Sequence, residues 1–368
     1  MRAERWLGPA LAGVLAATRG TPMPIAVAHV PGRVWSHRGD LIGTIQAGEY
    51  GNLTEWRIDR AVARWRAAAR SRSLNMGFAS FEDVYVAARN RGGLVSGTWR
   101  LQSAVTGGVG AGHSVWPVTG RSGPPAPSLA TSLPTGVDCT RATVGGLRQS
   151  NPPAGQSTHL VGCTVVNDAQ APRTWMLYDR IWHGDVLLNT TAAQTVTMTP
   201  TRYSTTGNDG TSRGNVAWVE VYGVTLTAQA HNWTLQYVDH MGNAAENGPV
   251  ETGLASSAQV GSIDLKSAGP GFWQWCFQLN SGDLGISGLT KITLSSTLAA
   301  GFINLVLAHP LGLFPGSNTV HEAVTYDCVG SAFNMVKIET DACLGLLDVF
   351  CGNSNGTLSN VTASFATG

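Results

Sequence analysis

The residues able to carry catalysis are scattered along this chain rather than gathered. Nine His are present, and none forms the H-E-x-x-H, H-x-x-x-H or H-x-H pattern that aims two imidazoles at one metal ion. The nearest groupings are His183-Gly184-Asp185 and Asp239-His240. Each falls at the end of an expected strand, where polar residues are expected to face water. Asp179 and Glu220 lie on expected strands and would suit glycoside hydrolysis if the fold set them about 5–9 Å apart across a cleft. No P-loop and no G-x-S-x-G elbow occurs. The run Gly107 to Gly112 (GGVGAG) resembles a dinucleotide loop, but no helix pattern follows it. Six Cys, at 139, 163, 276, 328, 343 and 351, include no C-x-x-C pair. Their spacing fits neither a zinc site nor a disulfide scaffold. Most are read as small buried hydrophobes, with Cys139–Cys163 and Cys343–Cys351 as candidate bridges. Of 12 Trp, six (Trp175, Trp182, Trp218, Trp233, Trp273 and Trp275) fall on expected strands. Exposed, they would form a sugar platform or an interface; the alternative is core packing.

The elements that must position these residues are mostly short strands. From His159 onward the pattern predicts strands at Leu160–Val166, Trp175–Trp182, Thr195–Thr199, Val216–Tyr222, Trp233–Val238, Ser262–Leu265, Phe272–Leu279, Lys291–Ser295 and Phe302–Leu307. About three more follow Val320. The stretches 218–222 and 233–238 alternate as half-buried strands do. Turn clusters such as Thr206 to Gly210 and Met241 to Asn243 separate the strands. Two helices are expected earlier. Leu53–Arg72 is capped by Asn52 with Glu55 three residues on, and Phe81–Asn90 is capped by Ser80 and stopped by Gly92-Gly93. Residues 1–50 read as an extended arm, and 106–157 as a Gly/Pro-rich connector containing GRSGPPAP at 120–127.

Composition supports a β protein. Charged residues make up 13% of the 368, hydrophobic residues 43%, and Gly numbers 45. Abundant Gly, Thr and Val suit turns and pleated surfaces. So sparse a charged surface suits a protein that buries much of itself against neighbours. Net charge is +1 but uneven: residues 1–100 hold 14 Arg against 7 acids, and the remainder 10 basic residues against 16 acids. The basic part reads as a solvated Arg-rich helix face, and no nucleic-acid-binding motif accompanies it. No run of 18 apolar residues predicts a membrane helix. Trp6 to Ala17, behind Arg2 and Arg5, is broken by Pro9 and Gly13 and reads as arm rather than signal peptide. Asn-x-Thr sequons at Asn52, Asn189, Asn232, Asn355 and Asn360 matter only in a eukaryotic secretory pathway.

A series of short motifs, in order, resembles a family of structural proteins of tailed-phage virions. They are WMLYDRIWH at 175–183, NTTAAQTV at 189–196, WVEVYG at 218–223 and LQYVDHMGN at 235–243. TLSST at 293–297, LVLAHPL at 305–311, and YDCVG with ETDACLGLL between 326 and 347 continue the series, and SFEDV at 80–84 resembles its opening. The resemblance is closest over about half the chain, from Arg173 onward, and does not extend to the Arg-rich arm at 1–75. It implies a virion component assembled in the bacterial cytoplasm, and it carries no catalytic, cofactor or metal residues.

The expected fold is therefore mainly β: an antiparallel, jelly-roll-like β-sandwich (158–368) preceded by an N-terminal arm and helical region (1–105) and the connector (106–157). The expected function is non-enzymatic, that of a head decoration or cement protein. Its expected partners are the major capsid protein and copies of itself as a trimer. Trp6, Trp35, Trp56 and Trp65, with Arg57, Arg60 and Arg64, are the expected lattice contacts. The alternatives are a tail, neck or fibre component, a major shell protein, and a carbohydrate-binding sandwich module.

Overall fold

A computed structural model describes residues 32–35, 41–45, 94–101, 112–116, 133, 135–143, 145–147, 151–167, 173–198, 200–254, 258, 260–265, 275–317, 319, 321–328, 336–351 and 359–367. All regular structure among them is β-strand. The two expected helices lie outside the described residues.

Contacts divide the chain into two units, 1–79 and 80–368. In the first, β1 (Gly32–Trp35) and β2 (Leu41–Ile45) form an antiparallel hairpin.

The second unit is an antiparallel sandwich of three sheets. Its strands are β3 (Leu94–Leu101), β4 (His113–Ser114), β5 (Val137–Asp138), β6 (Thr158–Asn167), β7 (Arg173–Val186), β8 (Gln194–Met198) and β9 (Val216–Val221). They continue as β10 (Asn232–Asp239), β11 (Glu246–Asn247), β12 (Glu251–Thr252), β13 (Ile286–Leu294) and β14 (Ile303–Pro315). The last four are β15 (Ala323–Asp327), β16 (Lys337–Ile338), β17 (Leu344–Cys351) and β18 (Ser359–Thr367).

The central sheet has the order β4-β17-β7-β14-β9, with β5 also on β7. A second sheet runs β11-β10-β13-β8, and a third β15-β6-β18-β3. Residues 94–101, read from sequence as part of the N-terminal region, thus supply an edge strand to the third sheet. The connector supplies β4 and β5 to the central one.

The central sheet is covered on both faces. Along β7, Met176 and Tyr178 join the core shared with Trp233, Leu235 and Ile292 of the second sheet. The intervening Trp175 and Leu177 join the core shared with Val165, Val361 and Phe365 of the third. Successive strand side chains point to opposite faces, so one strand feeds two cores. Pro310 sits in β14 without breaking the sheet. It lies where the register with β7 shifts, and β9 pairs only as far as Ala308, so no ladder bond needs its missing N–H.

Candidate functional site

The densest chemistry lies inside the central sheet. Asp179, Arg180 and His183 stand on β7, and Asp179 and Arg180 have no solvent exposure. Arg180 Nη2 donates to Glu220 Oε1 at 2.6 Å, and its Nε donates to His183 Nδ1 at 2.8 Å. Trp218 Nε1 and Asn304 Nδ2 each donate to Glu220 at 3.3 Å. The Arg180 guanidinium also stacks 4.6 Å from the Trp116 ring centroid, a cation–π contact strengthened by desolvation. Burial pushes the Glu220 carboxyl up, but the Arg180 charge and these donors more than offset it and hold the acid below its ordinary range.

A second pair interlocks with the first. Arg202 grips Asp179 through Nε and Nη2, both at 2.8 Å. Asp179 Oδ1 also accepts the Cys343 N–H at 2.8 Å, while Arg202 Nη2 donates to the carbonyls of Cys139 and Arg180. Every oxygen of Asp179 and Glu220 is thus engaged in an internal pair. The two expected cleft carboxylates belong to separate ion pairs with no solvent exposure, which removes them as a hydrolytic pair.

Two further groupings of titratable residues occur among the described residues. His231 presents Nε2 to Asp264 Oδ2 at 2.7 Å and Nδ1 to the Gln229 carbonyl at 2.8 Å. Two acceptors on one ring favour the doubly protonated form. Burial lowers the ring's pKa, and the Asp264 hydrogen bond and charge more than restore it, leaving it raised. Asp264 also takes Trp233 Nε1 and the Leu254 N–H, so it ties β10 to the loop after β12.

Asp239, His240 and Asp283 bring ligand atoms within 4.8 Å of one another. These atoms already serve turns. Asp239 accepts the Met241 and Asn243 N–H groups and the Asn243 amide. His240 Nδ1 accepts the Leu284 N–H, and Asp283 accepts the Tyr237 hydroxyl.

Several expectations are corrected here. His183, Asp239 and His240 are buried rather than facing water, because the strands they end are covered or folded back on turns. Trp175, Trp182, Trp218 and Trp233 are core residues at 1% exposure or less, so none offers a sugar platform. Cys139, Cys163 and Cys343 are free thiols, so neither expected bridge forms; Cys139 lies against Cys343 instead.

Of the expected lattice contacts, Trp35 ends β1 opposite Leu41. Trp6, Trp56, Arg57, Arg60, Arg64 and Trp65 lie outside the described residues. The sequence reading missed Arg180, Arg202 and the Cys139–Cys343 contact. Its one available signal was an Asp-Arg pair set inside the apolar run WMLYDRIWH.

Among the described residues, exposed apolar side chains stand at one end of the central sheet. Leu187, Phe302 and Val224 follow or precede the neighbouring strands β7, β14 and β9, and each is 45–48% exposed. Phe302 packs on Tyr222 with ring centroids 5.4 Å apart.

No family model matches the chain, and no curated protein matches it. A solved structure of infectious bursal disease virus, Gt strain, aligns over 74% of this chain and 80% of that one at 11% identity, with a TM-score of 0.14, a score below that of a shared fold.

Proposed function

We propose that the chain is a structural subunit of a tailed-phage particle, a head decoration or cement protein that binds the major capsid protein and copies of itself. The observation that carries this reading is where its charges go. The charges of Arg180 and Glu220, and of Arg202 and Asp179, are spent on one another inside the sandwich, which makes them girders rather than a reaction centre. The sparse overall charge and the ordered series of virion-like motifs point the same way. The Leu187–Phe302–Val224 ridge is the described surface best suited to seat on the capsid protein, since exposed apolar side chains clustered in one place mark interaction sites.

The test is quantitative mass spectrometry of purified particles of the phage that encodes this sequence. A copy number in a simple ratio to the major shell protein is expected. Six or twelve copies would move the chain to the tail or neck, and absence would overturn the structural reading. Phe302→Asp should lower occupancy on the particle by tenfold or more while leaving the chain folded by circular dichroism. Unchanged occupancy would remove the ridge as the contact.

A further inference from the structure

Cys139 and Cys343 are 204 positions apart in the chain yet sit side by side on one edge of β7. On that edge β5 pairs Val137 with His183 and Asp138 with Trp182, and the Cys139 N–H continues the ladder to the Ile181 carbonyl at 2.9 Å. The next position belongs to the other segment. The Cys343 carbonyl accepts the Arg180 N–H at 2.8 Å, and Leu344 pairs with Asp179. Both segments run antiparallel to β7, so β5 and β17 lie head to tail as one strand with a covalent gap, and the two Cys face each other across it.

Both residues are fully buried and share one small cluster with Trp116. Gly136 turns the chain into β5 with φ +59°, and a Cβ there would lie 2.1 Å from the Trp182 ring. That close fit fixes the approach of Cys139 to the junction.

We propose that Cys139 and Cys343 are a latent disulfide, a modification site at which oxidation closes the gap between β5 and β17. The position is right for it: the two thiols share one small buried cluster, and both are free. The two thiols are also unequal. Burial pushes Cys139 up, but the Cys343 thiol, His183 (Nδ1 at 3.4 Å) and Arg180 pull it well below its ordinary value. Cys343 is pushed up, first by Cys139 and then by burial. Cys139, whose Sγ lies 3.4 Å from His183 Nδ1, makes the first attack.

With a small disulfide RSSR as oxidant, Cys139 attacks one sulfur. The reagent S–S bond breaks, and one RSH leaves with the proton that Cys139 gave up. Cys343 then attacks the Cys139 sulfur of the mixed disulfide, forming the Cys–Cys bond and releasing a second RSH. Two protein thiols are oxidised and one reagent disulfide is reduced. The reagent enters when the two-residue strand β5 lifts, so the reaction is slow compared with that of an exposed thiol.

The experiment incubates the reduced full-length chain with oxidised glutathione, alkylates free thiols under denaturing conditions, and digests without reduction. Trypsin with Asp-N separates Cys343 from Cys351, because Asp348 lies between them. The expected result is a Cys139–Cys343 linked peptide that reductant abolishes, with a melting temperature raised on the order of 5–10 °C. Cys343→Ser should lose both effects, and Cys163→Ser should keep both. Recovery of Cys139 and Cys343 as alkylated thiols from the oxidised wild-type chain, or of either one linked to a different Cys, would overturn the proposal without relying on any variant.

Discussion

Strands β7 and β10 both send apolar side chains into one core but differ in what their other residues do. In β10, alternate residues are fully and partly buried, and three of the four outward ones (Asn232, Thr234 and Gln236) are polar. One face is dry and one is wet, the usual state of an antiparallel sheet. In β7, 12 of 14 residues are buried, because sheets and loops cover both faces. A strand so enclosed cannot put its polar side chains into water and must satisfy them internally. β7 meets most of this need with three arginine–carboxylate pairs that reach other strands and loops. Such pairs contribute little net stability over apolar packing, but they are costly to break. They also punish any misplacement of β7, β9, β14 or the Arg202 loop, so they select one register where apolar packing alone would tolerate several.

The contrast can be broken most sharply at Arg180. Arg180→Met leaves Glu220 buried without its cation and should cost about 3–5 kcal/mol, read from urea denaturation midpoints. Arg180→Met combined with Glu220→Leu should recover most of that loss. A single-variant cost below about 1 kcal/mol would mean that the pair behaves as if in water.

The next largest effect is pH dependence at His113, which sits on β4 opposite Asp348 and near Arg173. Burial first, and the Arg173 charge second, lower its pKa from 6.5 to about 4. Below pH 6.5 the unfolded ring takes up a proton that the folded ring refuses until about pH 4. Stability therefore falls as pH drops through that window, by roughly 2–3 kcal/mol from this group. His113→Gln should flatten this part of the stability–pH curve. An unchanged slope would assign the acid sensitivity elsewhere.

Smaller effects belong to the second sheet. Tyr237 donates its hydroxyl hydrogen to Asp283 and accepts the Asn280 N–H, so Tyr237→Phe should cost about 1–2 kcal/mol. Gln236→Ala, on the wet face of the same strand, should stay within about 0.5 kcal/mol. Should Gln236→Ala match Arg180→Met in cost, the distinction between the two strands would be lost.

The same contrast explains what the sequence made legible. A strand with one wet face announced itself: Trp233–Val238 was expected and lies within β10. Val216–Tyr222, buried almost throughout, was legible from its apolar and β-branched residues and matches β9 to within one residue. The β-sandwich class followed from these and from the turn clusters between them. Ser262–Leu265 was expected as a strand but makes only isolated bridges, to His113 and Glu220. In the stretch expected as Phe272–Leu279, the described residues from 275 onward form no strand. Phe277 is instead a plug, its side chain in the core and its N–H on the Ala217 carbonyl. Apolar pattern reports burial, and burial does not require a ladder partner. The polar centre was hidden for the converse reason. Asp179, Arg180 and His183 carry the composition of a surface, and only the apolar run that encloses them signals that later strands will cover them. Arg202, in a loop, and Cys343, 157 residues beyond the end of β7, join the centre only through tertiary structure.

One further consequence follows from the third sheet. β18 lies between β6 and β3 and pairs with both along its length, although it is made some 190 residues after β6 and some 260 after β3. Until residues 359–367 leave the ribosome, β3 lacks its partner and β6 has an open edge. The sheet is therefore completed late, by insertion of a strand rather than by growth at an edge. Pairings this distant in sequence slow folding, and an open edge held for that long invites pairing with other chains. Synthesis at high local concentration, as in a cell making many copies at once, should make this sheet the first place where assembly goes wrong.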